Sequence, residues 1–346
     1  MTGDVLFERL GHTGRITLNR PQALNALSHE MCRALHARLA EWARDDAVRL
    51  VIIDGAGERA FCAGGDVRAL YADWQAGGQA RFGFYRDEYR LNALIKRYPK
   101  PYVALVDGIV MGGGVGVSVH GSHLVATERT VFAMPETGIG LSPDVGGTYF
   151  LPRLPGELGP FLGLTGHRLN AADCLYAGLA DVVVPSERLP DLIEALSGAA
   201  ADDVTGLLGR FAEPPEPAPL EALRAEIDDW FGESSVERIL SELERHDTEF
   251  AQGTAGILRQ KSPTSLKVTL RQLRAGAHLG FEDCMRLEYR LACRFMQAQD
   301  FFEGVRAVVI DKDNKPAWRP DSLEAVSEAA VAAYFAPLPD GELTFD

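Results

Sequence analysis

Two carboxyl groups in one glycine- and proline-rich stretch are the first candidates for chemistry. Glu136 and Asp144 lie eight residues apart between Met134 and Gly147. So much glycine and proline gives the backbone a specific shape. In a cleft with little water, such carboxyl groups have raised pKa values and can act as base, acid or nucleophile. For either residue alone, a turn cap or a solvated surface group is the competing interpretation.

Two glycine-rich turns could supply hydrogen-bond donors. Gly64 and Gly65 lie in the stretch 60–66, and Gly112–Gly114 lie in the stretch 110–116. Glycine lets the backbone adopt positive φ and lets a ligand approach the main chain closely. If each turn presents one backbone N–H, the two together form an oxyanion hole, where each donor contributes roughly 3 kcal/mol. An ordinary strand-to-helix turn and tight helix packing are the alternatives, and the second turn does not match a GxGxxG dinucleotide loop.

Short strands alternating with helices must position these groups. A helix is predicted after the N-cap Ser28, because apolar residues from Met31 to Trp42 recur at helical spacing. Apolar or alternating runs predict strands at 15–19, 50–53, 102–106, 123–126 and 181–184. This alternation is typical of an α/β fold.

The composition changes after about residue 200, which indicates a second region. A proline-rich run at 213–219 predicts a stiff linker, and beyond it leucines recur at helical spacing. We therefore predict two domains. Residues 1–200 form the ligand-binding core, and residues 220–346 form a mostly helical region that packs on this core.

Composition and charge exclude several classes of function. The chain has 35 Lys and Arg against 49 Asp and Glu, a formal net charge of −14, which argues against nucleic acid as a partner. Its five Cys include no CxxC pair, and its eight His include no HxxxH pair beside a carboxylate, so we predict neither a disulfide framework nor a metal site. No apolar run has the length of a membrane helix and no secretory signal is visible, so we expect no membrane partner and a cytoplasmic protein.

Several motifs follow one another in an order and spacing that identify a family. They include Leu18-Asn19-Arg20-Pro21, Phe61-Cys62-Ala63-Gly64-Gly65-Asp66, Gly112-Gly113-Gly114 and Pro135-Glu136. With these motifs the chain resembles the crotonase (enoyl-CoA hydratase/isomerase) superfamily. Further motifs resemble the 3-hydroxyisobutyryl-CoA hydrolase subgroup, namely Pro143-Asp144-Val145-Gly146-Gly147, Ser262-Pro263-Thr264, Glu288-Tyr289-Arg290-Leu291 and Glu303-Gly304-Val305-Arg306. Only about 192–255 lacks a recognisable match.

The resemblance implies a fold, a ligand and a set of site residues. The fold would be a crotonase-like spiral of ββα units with a C-terminal helical extension, binding an acyl-CoA substrate. Because coenzyme A is part of that substrate, no separate cofactor is implied. Carried over by position, the backbone N–H groups of Gly65 and Gly113 form the oxyanion hole. Glu136 is the main catalytic carboxylate with Asp144 as its partner, and Glu88 and Gly113 line the acyl pocket.

One departure from the hydratase pattern favours hydrolysis of the thioester. Hydratases of this family use two glutamates, and the first falls where this chain has Gly116. The resemblance therefore implies a thioesterase acting on 3-hydroxyisobutyryl-CoA or 3-hydroxypropionyl-CoA in valine breakdown, with Glu136 as nucleophile or general base. An enoyl-CoA hydratase or isomerase and a non-catalytic acyl-CoA-binding protein are the alternatives. Assembly into a homo-oligomer is common in this superfamily and stays open here.

Overall fold

The secondary structure is a mixture of short strands and helices. The computed structural model describes residues 3–198, 203–339 and 341–345. The strands are β1 (Val5–Leu10), β2 (Thr13–Leu18), β3 (Leu50–Gly55), β4 (Ala60–Cys62), β5 (Tyr102–Val106), β6 (Ile109–Met111), β7 (His123–Ala126), β8 (Val131–Ala133) and β9 (Val182–Val183). The helices are α1 (His29–Arg44), α2 (Val67–Gln75), α3 (Ala80–Lys96), α4 (Gly113–Gly116), α5 (Gly147–Phe150), α6 (Leu158–Thr165), α7 (Ala171–Tyr176), α8 (Leu189–Gly198), α9 (Val204–Phe211), α10 (Pro219–Phe231), α11 (Val236–Leu243), α12 (Glu249–Gln260), α13 (Pro263–Gly276), α14 (Phe281–Phe295), α15 (Gln299–Val305) and α16 (Glu328–Phe335).

The chain forms two compact units, each built from three separate segments. The sheet unit comprises Met1–Asp66, Arg90–Ala133 and Arg168–Ala222, and the helical unit comprises Val67–Tyr89, Met134–His167 and Leu223–Asp346. This division of the chain differs from the predicted domains 1–200 and 220–346, which stay a prediction. Among the described residues, no helix is both long enough and apolar enough to cross a bilayer.

The sheet unit is organised around a six-stranded sheet with the order β1-β2-β3-β5-β7-β9. Only β1 pairs antiparallel with its neighbour; the remaining pairs are parallel. Strands β3 and β5 are continuous apolar runs because a parallel sheet is covered on both faces. Leu50, Ile52, Val103 and Leu105 pack with leucines of α8 and α9 in one buried cluster.

A second, three-stranded sheet with the order β4-β6-β8 creates the ββα repeat. Each pair β3–β4, β5–β6 and β7–β8 gives its first strand to the large sheet and its second to the small one, and a helical segment follows each pair. The predicted α/β fold with ββα units is therefore confirmed. The strands predicted at 102–106 and 123–126 are β5 and β7, residue for residue.

The pairing of β4 with β6 brings the two glycine-rich turns together inside the sheet unit. A Cβ atom added to Gly114 would lie 2.3 Å from the carbonyl oxygen of Cys62, far inside van der Waals contact. A Cβ atom on Gly64, which has φ +115°, would lie 3.9 Å from the backbone N of Gly113. Glycine at position 114 is therefore required by the approach of two backbones.

The helical unit supplies the two helices that hold the stretch after Met134. Helix α13 begins after the N-cap Ser262, whose side chain accepts a hydrogen bond from the N–H of Ser265, and Pro263 takes the first position of the helix. Helix α14 buries one face from Cys284 to Phe295. Leucines and aromatic residues on these faces account for the helical spacing found beyond residue 220.

Substitution of Gly114 by alanine tests the close approach of the two turns. Because the new methyl group would overlap the Cys62 carbonyl, we expect Gly114→Ala to destabilise the protein by about 1–3 kcal/mol in urea unfolding. Gly253→Ala is the matched control, since Gly253 lies in α12 with nothing within 4 Å of an added Cβ. The control should gain up to about 1 kcal/mol. A Gly114→Ala protein as stable as the wild type would contradict this packing.

Candidate active site

Glu136 is buried directly after the last strand of the small sheet. It opens a 3-10 helix, Glu136–Ile139, that follows β8 and Pro135. Its side chain is 4% exposed, and its Oε2 atom has no hydrogen-bond partner among the described residues. Burial and the charge of Asp144 raise the pKa of Glu136 well above its usual range, against an opposing effect of Lys261. A carboxyl group in this state keeps its proton more readily than an exposed glutamate does.

Asp144 lies in the turn that leads into α5 and has one strong hydrogen bond. The hydroxyl of Tyr89 donates to Oδ2 of Asp144 over 2.7 Å, and both side chains are buried. Burial raises the pKa of Asp144 to about 6, while the hydrogen bond from Tyr89 acts in the opposite direction. Asp144 therefore ionises more readily than its depth alone would allow.

Glu88 reaches the same group of carboxyls from α3. Tyr85, Glu88 and Tyr89 occupy positions i, i+3 and i+4 of this helix, so they share one face, and that face is buried. Oε1 of Glu88 has no hydrogen-bond partner among the described residues. Burial raises the pKa of Glu88 well above its usual range, and the charges of Asp144, Glu288 and Glu136 add to the effect.

Two buried side chains from α13 and α14 hold the turn that carries Asp144. Oε2 and Oε1 of Glu288 accept hydrogen bonds from the N–H groups of Gly146 and Thr148, both over 2.8 Å. The side-chain amide of Gln272 donates to the carbonyl of Pro143 and to the hydroxyl of Thr148, both over 2.6 Å. We call these two side chains the loop clamp.

The loop clamp holds a strained backbone. Val145, next to Asp144, has φ +50°, a left-handed conformation that costs a β-branched residue about 1–3 kcal/mol. The fixed bonds on both sides of Val145 offset this cost and set the direction of the Asp144 side chain. Burial raises the pKa of Glu288 to about 8, and the N–H of Gly146 opposes that effect.

Lys261 is the cation that acts on Glu136. It lies at the end of α12, and its Nζ atom would be 3.2 Å from a Cβ atom on Gly138, two residues after Glu136. Burial lowers the pKa of Lys261, and the carboxylate of Glu136 opposes this effect. Lys261 also lines a cavity of about 390 Å³ between α11, α12 and the segment 321–324.

The glycine residues predicted to bind an oxyanion lie in the sheet unit. Gly65 and Leu27 form an isolated parallel β-bridge. Its two hydrogen bonds join Leu27 to the carbonyl of Gly64 and to the N–H of Asp66. The N–H of Gly65 therefore points away from Leu27. Gly113 is the first residue of α4, where a backbone N–H has no acceptor within the helix. Both N–H groups thus have the character that an oxyanion donor needs.

The predicted site residues therefore fall into two groups. Gly65 and Gly113 belong to adjoining turns of the sheet unit, and Glu88, Glu136 and Asp144 interact within the helical unit. Their catalytic roles stay predictions. Sequence reasoning missed Tyr89 and Lys261 and gave no role to Glu288, which it identified only as part of a motif. Within the described ranges, no cluster of His, Cys, Asp and Glu is suited to a metal ion.

Replacing Glu88 by glutamine tests the effect of buried carboxyl groups on stability. Folding raises the pKa of Glu88. The contribution of this group to the free energy of unfolding is therefore fully present below its pKa in the unfolded state and is lost as the pH rises through its pKa in the folded state. We expect Glu88→Gln to gain unfolding free energy relative to the wild type between pH 5 and pH 8. Urea unfolding at several pH values measures this difference.

Glu303→Gln is a control of opposite sign. Hydrogen bonds from Arg306 hold the pKa of Glu303 below its usual range, so this glutamate stabilises the protein at neutral pH and loses the effect as pH falls. The variant should therefore be less stable than the wild type at pH 8. For Glu88→Gln, an unfolding free energy that differs from the wild-type value by the same amount at every pH would contradict a raised pKa of Glu88 in the folded state.

Comparisons with known proteins give the same family as the motifs. The enoyl-CoA hydratase/isomerase family model matches residues 13–335. The mitochondrial 3-hydroxyisobutyryl-CoA hydrolase of Danio rerio is 48% identical over 98% of this chain and 91% of its own length. The protein of the same name from Homo sapiens is 45% identical over 99% of this chain and 91% of its own length. The predicted resemblance to this subgroup is confirmed.

Two solved structures share the fold almost completely. A carnitinyl-CoA dehydratase from Mycobacterium thermoresistibile has a TM-score of 0.94 and 47% identity, covering 100% of this chain and 99% of its own. An enoyl-CoA hydratase from Rhodobacter sphaeroides has a TM-score of 0.91 and 44% identity, covering 99% of this chain and 100% of its own. The crotonase-like fold is therefore confirmed.

The expectation of a cytoplasmic protein is wrong. It rested on composition and on the residues at one end of the chain, neither of which determines a compartment, and the curated relatives are mitochondrial proteins. The family model covers most of the chain, and relatives above 45% identity cover nearly all of it. The chain belongs to the enoyl-CoA hydratase/isomerase family.

Proposed function

We propose that this chain hydrolyses a short 3-hydroxyacyl-CoA thioester, 3-hydroxyisobutyryl-CoA or 3-hydroxypropionyl-CoA, to the free acid and coenzyme A. Relatives named 3-hydroxyisobutyryl-CoA hydrolase, which match along nearly their whole length, support the substrate. The observation that carries the chemistry is Glu136, a buried carboxyl group whose pKa is raised by burial and by Asp144 and whose Oε2 atom has no hydrogen-bond partner among the described residues. The product acid would belong to the breakdown of valine.

Hydrolysis of a thioester needs an attacking oxygen and a place for the negative charge that develops on the carbonyl oxygen. We assign the charge to the N–H groups of Gly65 and Gly113, each worth roughly 3 kcal/mol in such a role. Glu136 either attacks the carbonyl carbon itself, giving a mixed anhydride that water then cleaves, or takes a proton from the attacking water. In both routes the C–S bond breaks and coenzyme A leaves as a thiolate.

Asp144 is proposed as the partner of Glu136, and Glu88 with Gly113 as the lining of the acyl pocket. Because burial raises the pKa of all three carboxyl groups and their charges repel, their protonation states are linked. An ionised Asp144 can accept a hydrogen bond from a protonated Glu136 or from the substrate hydroxyl. No separate cofactor is proposed, since coenzyme A enters as part of the substrate.

Hydration of an enoyl-CoA is the second candidate, because the two solved structures above are a dehydratase and a hydratase. Addition of water across a double bond needs two carboxyl groups on either side of the water. The first of the two family glutamates is replaced by Gly116, which lies buried in α4 and accepts a hydrogen bond at its carbonyl from Asn92. This position supplies no acid or base, so hydrolysis is favoured.

The Glu136→Gln variant tests the hydrolase assignment. We expect the rate of thiol release from 3-hydroxyisobutyryl-CoA, followed with a thiol reagent, to fall by about 10²–10⁴-fold. Binding of the acyl-CoA, measured by calorimetry, should persist because glutamine keeps the shape of the side chain. Glu30→Gln, a substitution in helix α1 of the sheet unit, is the control and should keep the wild-type rate.

The same assay on a panel of acyl-CoAs separates the candidates. Crotonyl-CoA consumed without thiol release would identify a hydratase and overturn the proposal. Absence of thiol release from every short 3-hydroxyacyl-CoA would leave a protein that binds without catalysis. A Glu136→Gln protein that hydrolyses the thioester near the wild-type rate would remove Glu136 from the mechanism.

A further inference from the structure

Tyr89 contacts the candidate catalytic group, and the family motifs give it no role. We propose that Tyr89 is a positioning residue whose hydroxyl, by donating to Oδ2, selects Asp144 over Glu88 and Glu136 as the hydrogen-bond acceptor. The catalytic part of this inference rests on the proposed function. The effect of Tyr89 on the ionisation of Asp144 is independent of the proposed function.

The direction of the hydrogen bond is fixed by burial. Burial raises the pKa of Tyr89 well above its usual range, and the charge of Asp144 adds to this effect, so the phenol keeps its proton. A carboxylate has only acceptors to offer to a hydroxyl. At 2.7 Å the contact has the length of an O–H···O hydrogen bond. Tyr89 therefore donates, and Asp144 accepts.

Ring packing fixes the position of this hydroxyl. The ring of Tyr89 lies 6.5 Å from that of Tyr289 at 86°, and 5.8 Å from that of Tyr85 at 56°. The side chain of Tyr89 is 0% exposed. Aromatic neighbours on two sides restrict rotation of the ring, so the donor is already placed before any ligand enters.

Glu88 and Glu136 receive no such hydroxyl donor among the described residues. Oε1 of Glu88 and Oε2 of Glu136 have no partner in the described part of the chain. Both oxygens of Glu288 accept from backbone N–H groups and are committed to the loop clamp. The hydroxyl of Tyr89 therefore distinguishes Asp144 from Glu88 and Glu136 and favours ionisation of Asp144.

This asymmetry gives Asp144 a defined role toward a ligand. A carboxylate offers about four lone-pair sites, and Tyr89 uses one of them. The remaining sites can accept from a hydroxyl donor, either that of a protonated Glu136 or that of a 3-hydroxyacyl chain. An acyl chain without the hydroxyl would leave this buried acceptor unpaired, which is a strong basis for discrimination.

Tyr89→Phe removes the hydroxyl and keeps the ring. The groups that face Asp144 are Tyr85 and Glu88 on α3, Glu136 on the 3-10 helix and Glu288 on α14, and all of them remain. Without the donor, the titration midpoint of Asp144 should rise by about one pH unit. Carbon-13 NMR of aspartate-labelled protein measures this midpoint, and Asp144→Asn assigns the signal.

Kinetics supply a second readout. The acidic limb of the pH profile of kcat/KM should move to higher pH by the same amount, with about a tenfold loss on that limb and little change above it. Tyr102→Phe is the matched control, because Tyr102 is a buried tyrosine of β5 whose hydroxyl donates to the carbonyl of Val117 over 2.9 Å. It should leave the limb in place even if stability falls.

Incorporation of 3-fluorotyrosine at position 89 keeps the proposal testable if Tyr89→Phe does not fold. Fluorine makes the phenol a stronger donor, so the midpoint of Asp144 and the acidic limb should move to lower pH. An unchanged midpoint in both variants would overturn the inference. If the wild type releases no thiol but the midpoint still moves, the proposed function fails and the role of Tyr89 in setting the ionisation of Asp144 stands.

Discussion

Removal of four carboxyl groups from water is the constraint on which the rest of the helical unit depends. Glu88, Glu136, Asp144 and Glu288 are each no more than 7% exposed. Ionising all four together in such a medium would cost many kcal/mol, so they must share protons. The unit responds by giving each group a different environment. Asp144 accepts from a hydroxyl and Glu288 from two backbone amides. The charge of Lys261 lowers the pKa of Glu136, whereas burial and the neighbouring carboxylates raise that of Glu88.

The loop clamp shows how stability and function are linked in this arrangement. A left-handed valine beside Asp144 is an unfavourable local conformation, and it persists because Gln272 and Glu288 fix the backbone on both sides. The carboxyl group of Glu288, which accepts hydrogen bonds from the backbone of this turn, also adds a charge near the other carboxyl groups. This charge raises the pKa of Glu136 further. The group that orders the turn thus also sets the proton affinity of its neighbours.

Sequence patterns predicted the parts of the molecule that depend on local periodicity. The buried strands β3, β5 and β7 were visible as apolar runs, and the helix after Ser28 was marked by its cap, which accepts from Met31. Strands β4, β6 and β8 have three residues each, too few for any period to show, yet they bring the glycine turns together. Tyr89 was missed because its partner is 55 residues away, and the role of Glu288 depends on contacts 140 and 142 residues away. Such contacts have no local signature, so only the fold reveals them.

The long separation between Asp144 and its clamp has a consequence for biosynthesis. Every residue assigned to catalysis lies in the first 144 positions, but the side chains that shape their turn come from α13 and α14. Contacts at such range form after local ones, because closing a long loop costs entropy first. When the ribosome has translated the proposed catalytic residues, the turn that carries Asp144 therefore still lacks the side chains that hold it. The loop clamp is complete only when α14 has been translated, because Glu288 lies in this helix.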